Sequence, residues 1–282
     1  MRAAVSYPAP GSVPVSVLIP TRDEAAQIEA CLASVAWAAE VAVVDSESAD
    51  ATAERARAAG AAVWVRRFDG YGPQKNWALE RLSHPWALCV DADERVTPEL
   101  ALEIEGALAG AAGPAGASAA PGGAAGYRIP RLNHFLGRRV TRCGWGGDRV
   151  LRLFLRARGR FDAPRVHERV QLDGPCGDLA SPLLHYPYRT WAQCEDKLWR
   201  YGVAGALEAY ARGRRAGPPD MCLRPLGRFA RMYLLQGGAL EGGAGAALCG
   251  LAAAQTFLKY ALLWDLGRRG EAAARELEAG PR

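Results

Sequence analysis

Two carboxylates stand one residue apart in Asp91-Ala92-Asp93, directly after the apolar run at 87–90 (ALCV). Alternate residues leaving a strand end can bring both acids to one point. Paired carboxylates with no local cation repel each other, and oxygen ligands favour Mg2+ or Mn2+ as the occupant. An ion held there would bind phosphate oxygens and neutralise the charge that develops on a departing diphosphate. A lone pattern of this kind is weak, because acids are common at strand ends. Two sibling clusters strengthen it: Thr21-Arg22-Asp23-Glu24 follows VSVLIP, Asp45-Ser46-Glu47-Ser48 follows VAVV, and Lys75 lies between these and Asp91.

The elements that would position these acids are legible as an alternation. Residues 15–20, 41–45, 62–66 and 87–90 read as short buried strands, and 25–35, 50–59 and 74–82 as helices between them. Asp50 can cap the second helix, which stops at Gly60. Thr97-Pro98-Glu99 opens a further helix with an N-cap, a proline in the first turn and an acid at the positive end. Such alternation predicts an α/β fold with right-handed crossovers and a mostly parallel sheet, helices on both faces. Ligands then sit beyond the carboxyl ends of the strands, where the three acid clusters fall.

Further along, 126–131, 149–156, 166–172 and 183–186 read as strands. A long amphipathic helix is expected over about 190–215, and 223–269 is mostly helical. The domain reading is a flexible N-terminus at 1–13, a catalytic domain at 14–188 with an uncharged Gly/Ala-rich insertion at 106–126, and a helical, basic C-terminal extension at 189–282.

The chain has 282 residues, enough for one large domain or two small ones. Its net charge of +5 hides an asymmetry: residues 1–126 carry 9 Lys/Arg against 16 Asp/Glu, and residues 127–282 carry 26 against 14. The basic half suits phosphates or an anionic membrane surface, or is simply solvated. Seven scattered cysteines without a CxxC pair argue against a disulfide framework or a zinc site, and suit a reducing cytoplasm. Residues 1–14 lack a signal pattern, and the uncharged stretch 242–258 is too short and Gly/Ala-rich to be read as a membrane span.

The stretches VSVLIPTRDEAAQIEACLASV, VAVVDSESADAT, GYGPQKNWAL and ALCVDADERVTPEL resemble glycosyltransferase family 2. More closely, the chain resembles the lipopolysaccharide inner-core β-1,4-glucosyltransferase branch. YRIPRLNHFLGRRVTRCGW, RVLRLFLRARGRF, VHE, LLHYPYRT and FLKYALLW extend the likeness over roughly 15–264. The Gly/Ala insertion and Gly146-Gly147 before Asp148 depart from the pattern.

The resemblance implies the GT-A type of Rossmann-like sheet and an inverting transfer of a hexose, glucose from a UDP-sugar, onto a lipopolysaccharide-core or related glycolipid acceptor. It implies Mg2+ or Mn2+ as cofactor and a cytoplasmic enzyme, peripheral on the inner face of the cell membrane. Pro20, Thr21, Arg22 and Glu24 would cradle the nucleotide, with Asp45 and Ser46 at the base or ribose. Lys75 and Asn76 would lie near the uracil or diphosphate, and Asp91 and Ala92 at the ribose. Asp91, Asp93 and His167 would hold the metal. Trp145, His185 and Tyr186 would line the acceptor side. One carboxylate must take the acceptor proton as its oxygen attacks the anomeric carbon; Glu168 and Asp148 are the candidates. Plain structural roles stand beside these for Glu24, Asp45, Lys75, His167 and Trp145.

Two other classes compete. A sugar nucleotidyltransferase needs a Gly-rich, Arg-containing loop after the first strand, and Thr21-Arg22-Asp23-Glu24 has no glycine. A non-catalytic protein binding a nucleotide sugar or anionic glycan would have no need of Asp91, Asp93 and Glu168 together. No nucleic-acid recognition motif accompanies the basic half. In the C-terminal part, Arg224, Arg228 and Arg231 alternate with Leu226, Phe229, Met232 and Tyr233, a pattern expected of an interfacial helix.

Overall fold

The computed structural model describes residues 5–110, 123–162 and 169–279. It divides into two compact units, Met1–Leu132 with Gly147–His185, and Asn133–Gly146 with Tyr186–Arg282.

In the first unit the strand–helix alternation is realised. Strands β1 (Val13–Thr21), β2 (Ala38–Asp45), β3 (Ala62–Val65) and β4 (Trp86–Cys89) alternate with helices α1 (Ile28–Ala33), α2 (Thr52–Ala58) and α3 (Tyr71–Leu79). The four strands are parallel in the order β3-β2-β1-β4. After the short β5 (Glu94–Val96) comes α4 (Pro98–Ala109), whose N-cap Thr97 accepts the Leu100 N–H through its hydroxyl. This helix occupies the start of the stretch read as a Gly/Ala insertion; residues 111–122 lie outside the described residues.

The sheet continues with antiparallel strands. β8 (Arg149–Leu155) pairs with β4, and β6 (Gly126–Phe135) pairs with β8 and with the two-residue β7 (Arg138–Arg139). β9 (Gly159–Phe161) and β10 (Val170–Leu172) form a separate antiparallel pair, β11 (Cys176–Asp178) lies parallel to β6, and β12 (Leu183–Tyr188) runs antiparallel to β5. The strand expected to begin at 166 is described only from Val170.

Both faces of β1, β4 and the C-terminal half of β2 are buried, so their sequences there are nearly all apolar rather than alternating, while β3 at the edge is partly exposed. Val17, Ile19, Val43 and Leu88 pack with Ile28, Leu32, Leu100 and Ile104 on one face. Leu18, Val44, Ala87 and Cys89 pack with Leu79, Leu82, Phe154 and Phe161 on the other. The N-terminal segment is more ordered than expected: the Tyr7 hydroxyl donates to the Val96 carbonyl at 2.7 Å, and the Gly11 N–H donates to Ala36 at 3.0 Å.

The second unit is helical: α5 (Trp191–Ala211), α6 (Pro218–Ala230), a π-helical turn (Arg231–Leu235), a 3-10 turn (Gly238–Glu241), α7 (Gly242–Arg269) and α8 (Glu271–Ala279). Glycines let α5 and α7 approach closely; a Cβ on Gly202 would come within 2.8 Å of Leu258. The Gly/Ala-rich stretch at 242–258 does not end where its composition weakens. It runs on as one 28-residue helix, and 238–269 is long and apolar enough to cross a membrane by length and composition. The seven cysteines are free thiols, and burial pushes Cys31 and Cys89 up to about 12, away from nucleophilic use.

Glu241 ties the segment 133–146 to the helices. One of its carboxylate oxygens accepts the Thr141 N–H at 2.9 Å, the Thr141 hydroxyl at 3.0 Å and the Arg142 N–H at 3.0 Å. These donors, the Thr141 N–H foremost, hold the carboxyl below its ordinary range despite burial. Stability drawn from a depressed carboxylate is complete above the unfolded value near pH 4.3 and is lost as pH falls through the folded one. Glu241→Gln is therefore expected to cost about 1–2 kcal/mol at pH 7. The gap to wild type should close toward pH 3, as read by urea unfolding at both pH values.

Candidate active site

The ends of β1, β2 and β4 reach one edge of the sheet because the strands are parallel and adjacent. Thr21 lies opposite Asp45 in the register, and its hydroxyl donates to the Asp45 carboxylate at 3.0 Å. The Ser48 N–H and hydroxyl donate to the same carboxylate. Ser48 in turn accepts the Asp23 N–H at 2.9 Å, and Asp23 accepts the Ala49 N–H at 2.7 Å. Thr52 accepts the Glu24 N–H and Asp50 the Ala25 N–H, at 2.7 and 3.0 Å. Asp23 and Glu47 adopt left-handed backbone, with φ of 55° and 53°. The two loops thus brace each other through side chains that also turn the backbone.

Two consecutive residues of α3 join this frame to the third loop. The Ser46 hydroxyl donates to Gln74 at 2.9 Å, and Gln74 donates to the Val44 carbonyl at 3.3 Å. Lys75, 3% exposed, places Nζ 3.4 Å from Asp91 and 5.1 Å from the Phe161 ring centroid.

Asp91 is met by a second cation that the sequence analysis missed. Arg152, from the middle of β8, donates to the other Asp91 oxygen and, at 2.7 Å, to Glu94. Glu94 is fully enclosed and accepts the Asp91 N–H at 3.0 Å. Arg131 lies 3.4 Å from Glu94 and clasps Asp148 through Nε at 2.9 Å and through Nη2. Enclosure alone would push the Asp91 carboxyl up. Arg152 and Lys75 outweigh it and hold the group well below the usual carboxylate range. Arg152 could have been found from sequence: a lone arginine inside the apolar run LRLFL is rarely buried without a partner.

This geometry corrects several expectations. Asp91 carries two cations on its carboxylate, so the repulsion expected between paired acids is met there by Arg152 and Lys75. His185 Nε2 stands 3.6 Å from the Asp93 carboxylate. The Ala92 methyl is buried in the core and faces no ligand. Asn76 spends both ends of its amide on the Phe161 backbone, donating at 2.8 Å and accepting at 2.9 Å, and anchors β9 to α3. Thr21, Asp45 and Ser46 are buried and hydrogen-bonded within the protein, whereas Arg22 is exposed and Pro20 and Glu24 are half-buried. Asp148 is Arg131's partner. His167 and Glu168 lie outside the described residues. Trp145 and Tyr186 belong to the second unit. There Trp145 stacks on Tyr188 at 6.2 Å and Tyr186 on His134 at 4.6 Å. Among the described residues no group of three or more His, Cys, Asp or Glu gathers as a metal cage.

A family model described as Glycosyl transferase family 2 matches residues 16–140. Lipopolysaccharide core biosynthesis glycosyltransferase LpsC of Rhizobium meliloti (strain 1021) is 30% identical over 264 residues, 89% of this chain and 94% of that protein. An uncharacterized glycosyltransferase of Rickettsia bellii (strain RML369-C) is 46% identical over 92 residues, which span 32% of this chain and 31% of that protein. Among solved structures, glucosyl-3-phosphoglycerate synthase from Mycobacterium tuberculosis, in complex with Mn2+, UDP and glucosyl-3-phosphoglycerate, is 21% identical with a TM-score of 0.34. That likeness covers 43% of this chain and 44% of the synthase, less than half of either. Together the fold and the sequence matches define an enzyme that transfers glycosyl groups. The chain belongs to glycosyltransferase family 2. Its parallel strands with helices on both faces, followed by a helical C-terminal region, are the GT-A type of architecture expected from the resemblance.

Arg152 is the part of this site whose loss is most easily read. Arg152→Gln leaves the enclosed Glu94 without its closest cation and Asp91 with Lys75 alone. The expected loss is about 3 kcal/mol, the low end for a broken buried pair, because one edge of Asp91 meets solvent. Chemical denaturation at pH 7 checks it, with Arg160→Gln, a surface ion-pair change, expected within about 0.5 kcal/mol of wild type.

Proposed function

We propose that this enzyme transfers a hexose, glucose from a UDP-sugar, with inversion, onto a lipopolysaccharide-core or related glycolipid acceptor. Full-length similarity to the Rhizobium meliloti core-biosynthesis enzyme supports the acceptor class. The observation that carries the site is the meeting of the strand-end loops at Gln74 and Lys75, with Asp93 and His185 3.6 Å apart at the same rim.

That arrangement suits a divalent ion of the Mg2+ or Mn2+ kind. Such ions take one or two carboxylates and fill their remaining positions with phosphate oxygens and water. A cage of three protein ligands is therefore unnecessary. Asp93 would hold the ion, with His185 beside it, and the bound ion would neutralise charge on the leaving diphosphate. Lys75 and Arg152 keep Asp91 ionised and fixed at the rim, where it can accept from a donor hydroxyl. The nucleotide would lie against Pro20, Arg22 and Glu24. A carboxylate takes the proton from the acceptor hydroxyl as that oxygen attacks the anomeric carbon opposite the diphosphate. Asp148 is committed to Arg131, which leaves Glu168 as the preferred base.

Asp93→Ala is expected to lower transfer at least 100-fold, with a melting temperature within about 3 °C of wild type. Glu168→Gln should lower kcat more than Asp148→Asn does. A radiolabelled panel of nucleotide sugars with Mg2+, Mn2+ or EDTA reads both, and turnover undiminished in Asp93→Ala would remove the metal assignment.

Membrane association is the second part of the reading. The apolar side of the basic helix differs from expectation: Met232 is buried, and Phe229 and Tyr233 pack inward. Leu223, Leu226, Leu234, Leu235 and Leu240 are instead exposed, Leu235 by 83%, among the exposed Arg224, Arg228 and Arg231. Basic and apolar side chains together suit the anionic inner face of a cell membrane. The enzyme should float with phosphatidylglycerol-containing liposomes at low salt and less with pure phosphatidylcholine. Leu234→Glu/Leu235→Glu should abolish flotation.

A further inference from the structure

The helical unit holds a cavity that the transfer reaction does not use. It measures about 380 Å³ and is lined by Arg214, Arg215, Arg224, Lys259, Tyr260 and Leu263. Four cations from three separate places meet there: the loop after α5, helix α6 and helix α7. Sequence separation hides the cluster, since Arg224 and Lys259 lie on different helices.

The cations are arranged rather than merely near one another. The Arg224 guanidinium sits 4.8 Å from the Tyr260 ring centroid, and Lys259 Nζ is 5.9 Å from the same ring. Arg215 lies 4.5 Å from the Tyr210 ring, and its Nη1 donates to the Arg214 carbonyl at 2.9 Å. Gly205 keeps α5 bare where Lys259 crosses it; a Cβ there would stand 3.2 Å from the lysine stem. Aromatic faces hold cationic heads in place and leave their N–H donors pointing outward.

Counter-charge is scarce. Arg224 donates to Asp220 at 2.6 Å, and this is the one carboxylate paired with any of the four among the described residues. The exposed Arg214, Arg215 and Arg224 and the half-buried Lys259 give this cavity a positive potential that favours an entering anion. Arginine forks and a lysine point charge match tetrahedral oxyanions. The volume lies within the roughly 300–1,000 Å³ typical of small-molecule pockets and exceeds what a bare ion needs.

We propose that this pocket binds a phosphomonoester, the phosphate seated between Arg224 and Lys259 and the attached group lying toward Leu263. The site stands on the helical unit alone and does not depend on the metal or the base assigned above. One phosphate chemistry has two sources, a lipid headgroup and a soluble phosphorylated compound, and the experiment separates them.

Titration calorimetry with glycerol 3-phosphate measures the soluble source. Vesicles of phosphatidylcholine with phosphatidic acid, compared with phosphatidylcholine alone, measure the lipid source. Arg224→Gln/Lys259→Gln is expected to weaken binding at least tenfold in one or both arms. Arg200→Gln, on the same unit but paired with Asp196 away from the pocket, should leave both unchanged. Arg224→Lys, which keeps the charge but loses the fork, should fall between. Loss in the soluble arm assigns a free phosphate compound; loss confined to the vesicle arm assigns a lipid headgroup. Wild type that binds neither probe, or a double variant that binds both as wild type does, overturns the proposal. Donor hydrolysis by Lys259→Gln alone, expected at the wild-type rate, keeps this result separate from any failure of the catalytic reading.

Discussion

The site depends on a line of alternating charges at the sheet rim: Lys75, Asp91, Arg152, Glu94, Arg131 and Asp148. Three acids and three bases balance. Buried ion pairs rarely add much net stability over apolar packing, but an unpartnered member is costly. The network therefore acts as a constraint on arrangement. Arg152 stands at an irregularity of β8, between Leu153, which lies opposite Tyr127 of β6, and Leu151, which lies opposite Arg128. With Leu88 opposite Leu153, the Arg152 side chain reaches Asp91 just beyond the end of β4. A one-residue slip of β8 would turn Arg152 to the opposite face and leave two carboxylates without their main partner. Register and charge balance are one condition.

A second constraint works through neutral hydrogen bonds. The loops after β1 and β2 carry the polar residues that a ligand-binding rim needs, yet Thr21, Asp45, Ser46 and Ser48 spend themselves on one another. Loops held this way lose less freedom when a ligand arrives, so more of the binding energy is retained. Preorganisation explains why polar residues that resemble donor contacts are found buried. They hold the loop that carries the exposed Arg22 and the half-buried Pro20 and Glu24.

The parallel half of the fold was legible because both its signals are local. Continuous apolar runs such as VSVLIP and ALCV, separated by helices, admit few arrangements. Thr97-Pro98 marked a helix start through chemistry that operates within four residues, whereas α2 has Ala51 at its N-cap and Asp50, one residue earlier, accepts the Thr52 N–H. What escaped was set by contacts distant in sequence. β5 and β9 are three residues each and take their conformation from pairing with β12 and β10. Arg152 was read as one residue of a strand because its partners lie 61 and 58 positions away. Asn76 looked like a ligand contact because an amide has the same valences toward a uracil and toward the backbone of Phe161. The outward face of the basic helix was misjudged because Phe229, Met232 and Tyr233 have the period of a core face as well as of an interfacial one. Burial by α7 decides between them.

The charge asymmetry of the chain takes on a different meaning in the fold. Residues 1–126 carry 16 acids against 9 bases, a segment that taken alone would repel a nucleotide diphosphate. Two of the cations that correct this at the rim, Arg131 and Arg152, come from the basic half, on β6 and β8. They enter the sheet beside β4 because the antiparallel strands continue it there. The acidic segment and the basic segment thus complete one another within a single sheet. Asp93 stands at the edge where the parallel strands end, its carboxylate 3.6 Å from His185 Nε2. A rim whose buried acids are matched by cations from the basic half no longer repels a phosphate-bearing molecule as the acidic segment alone would.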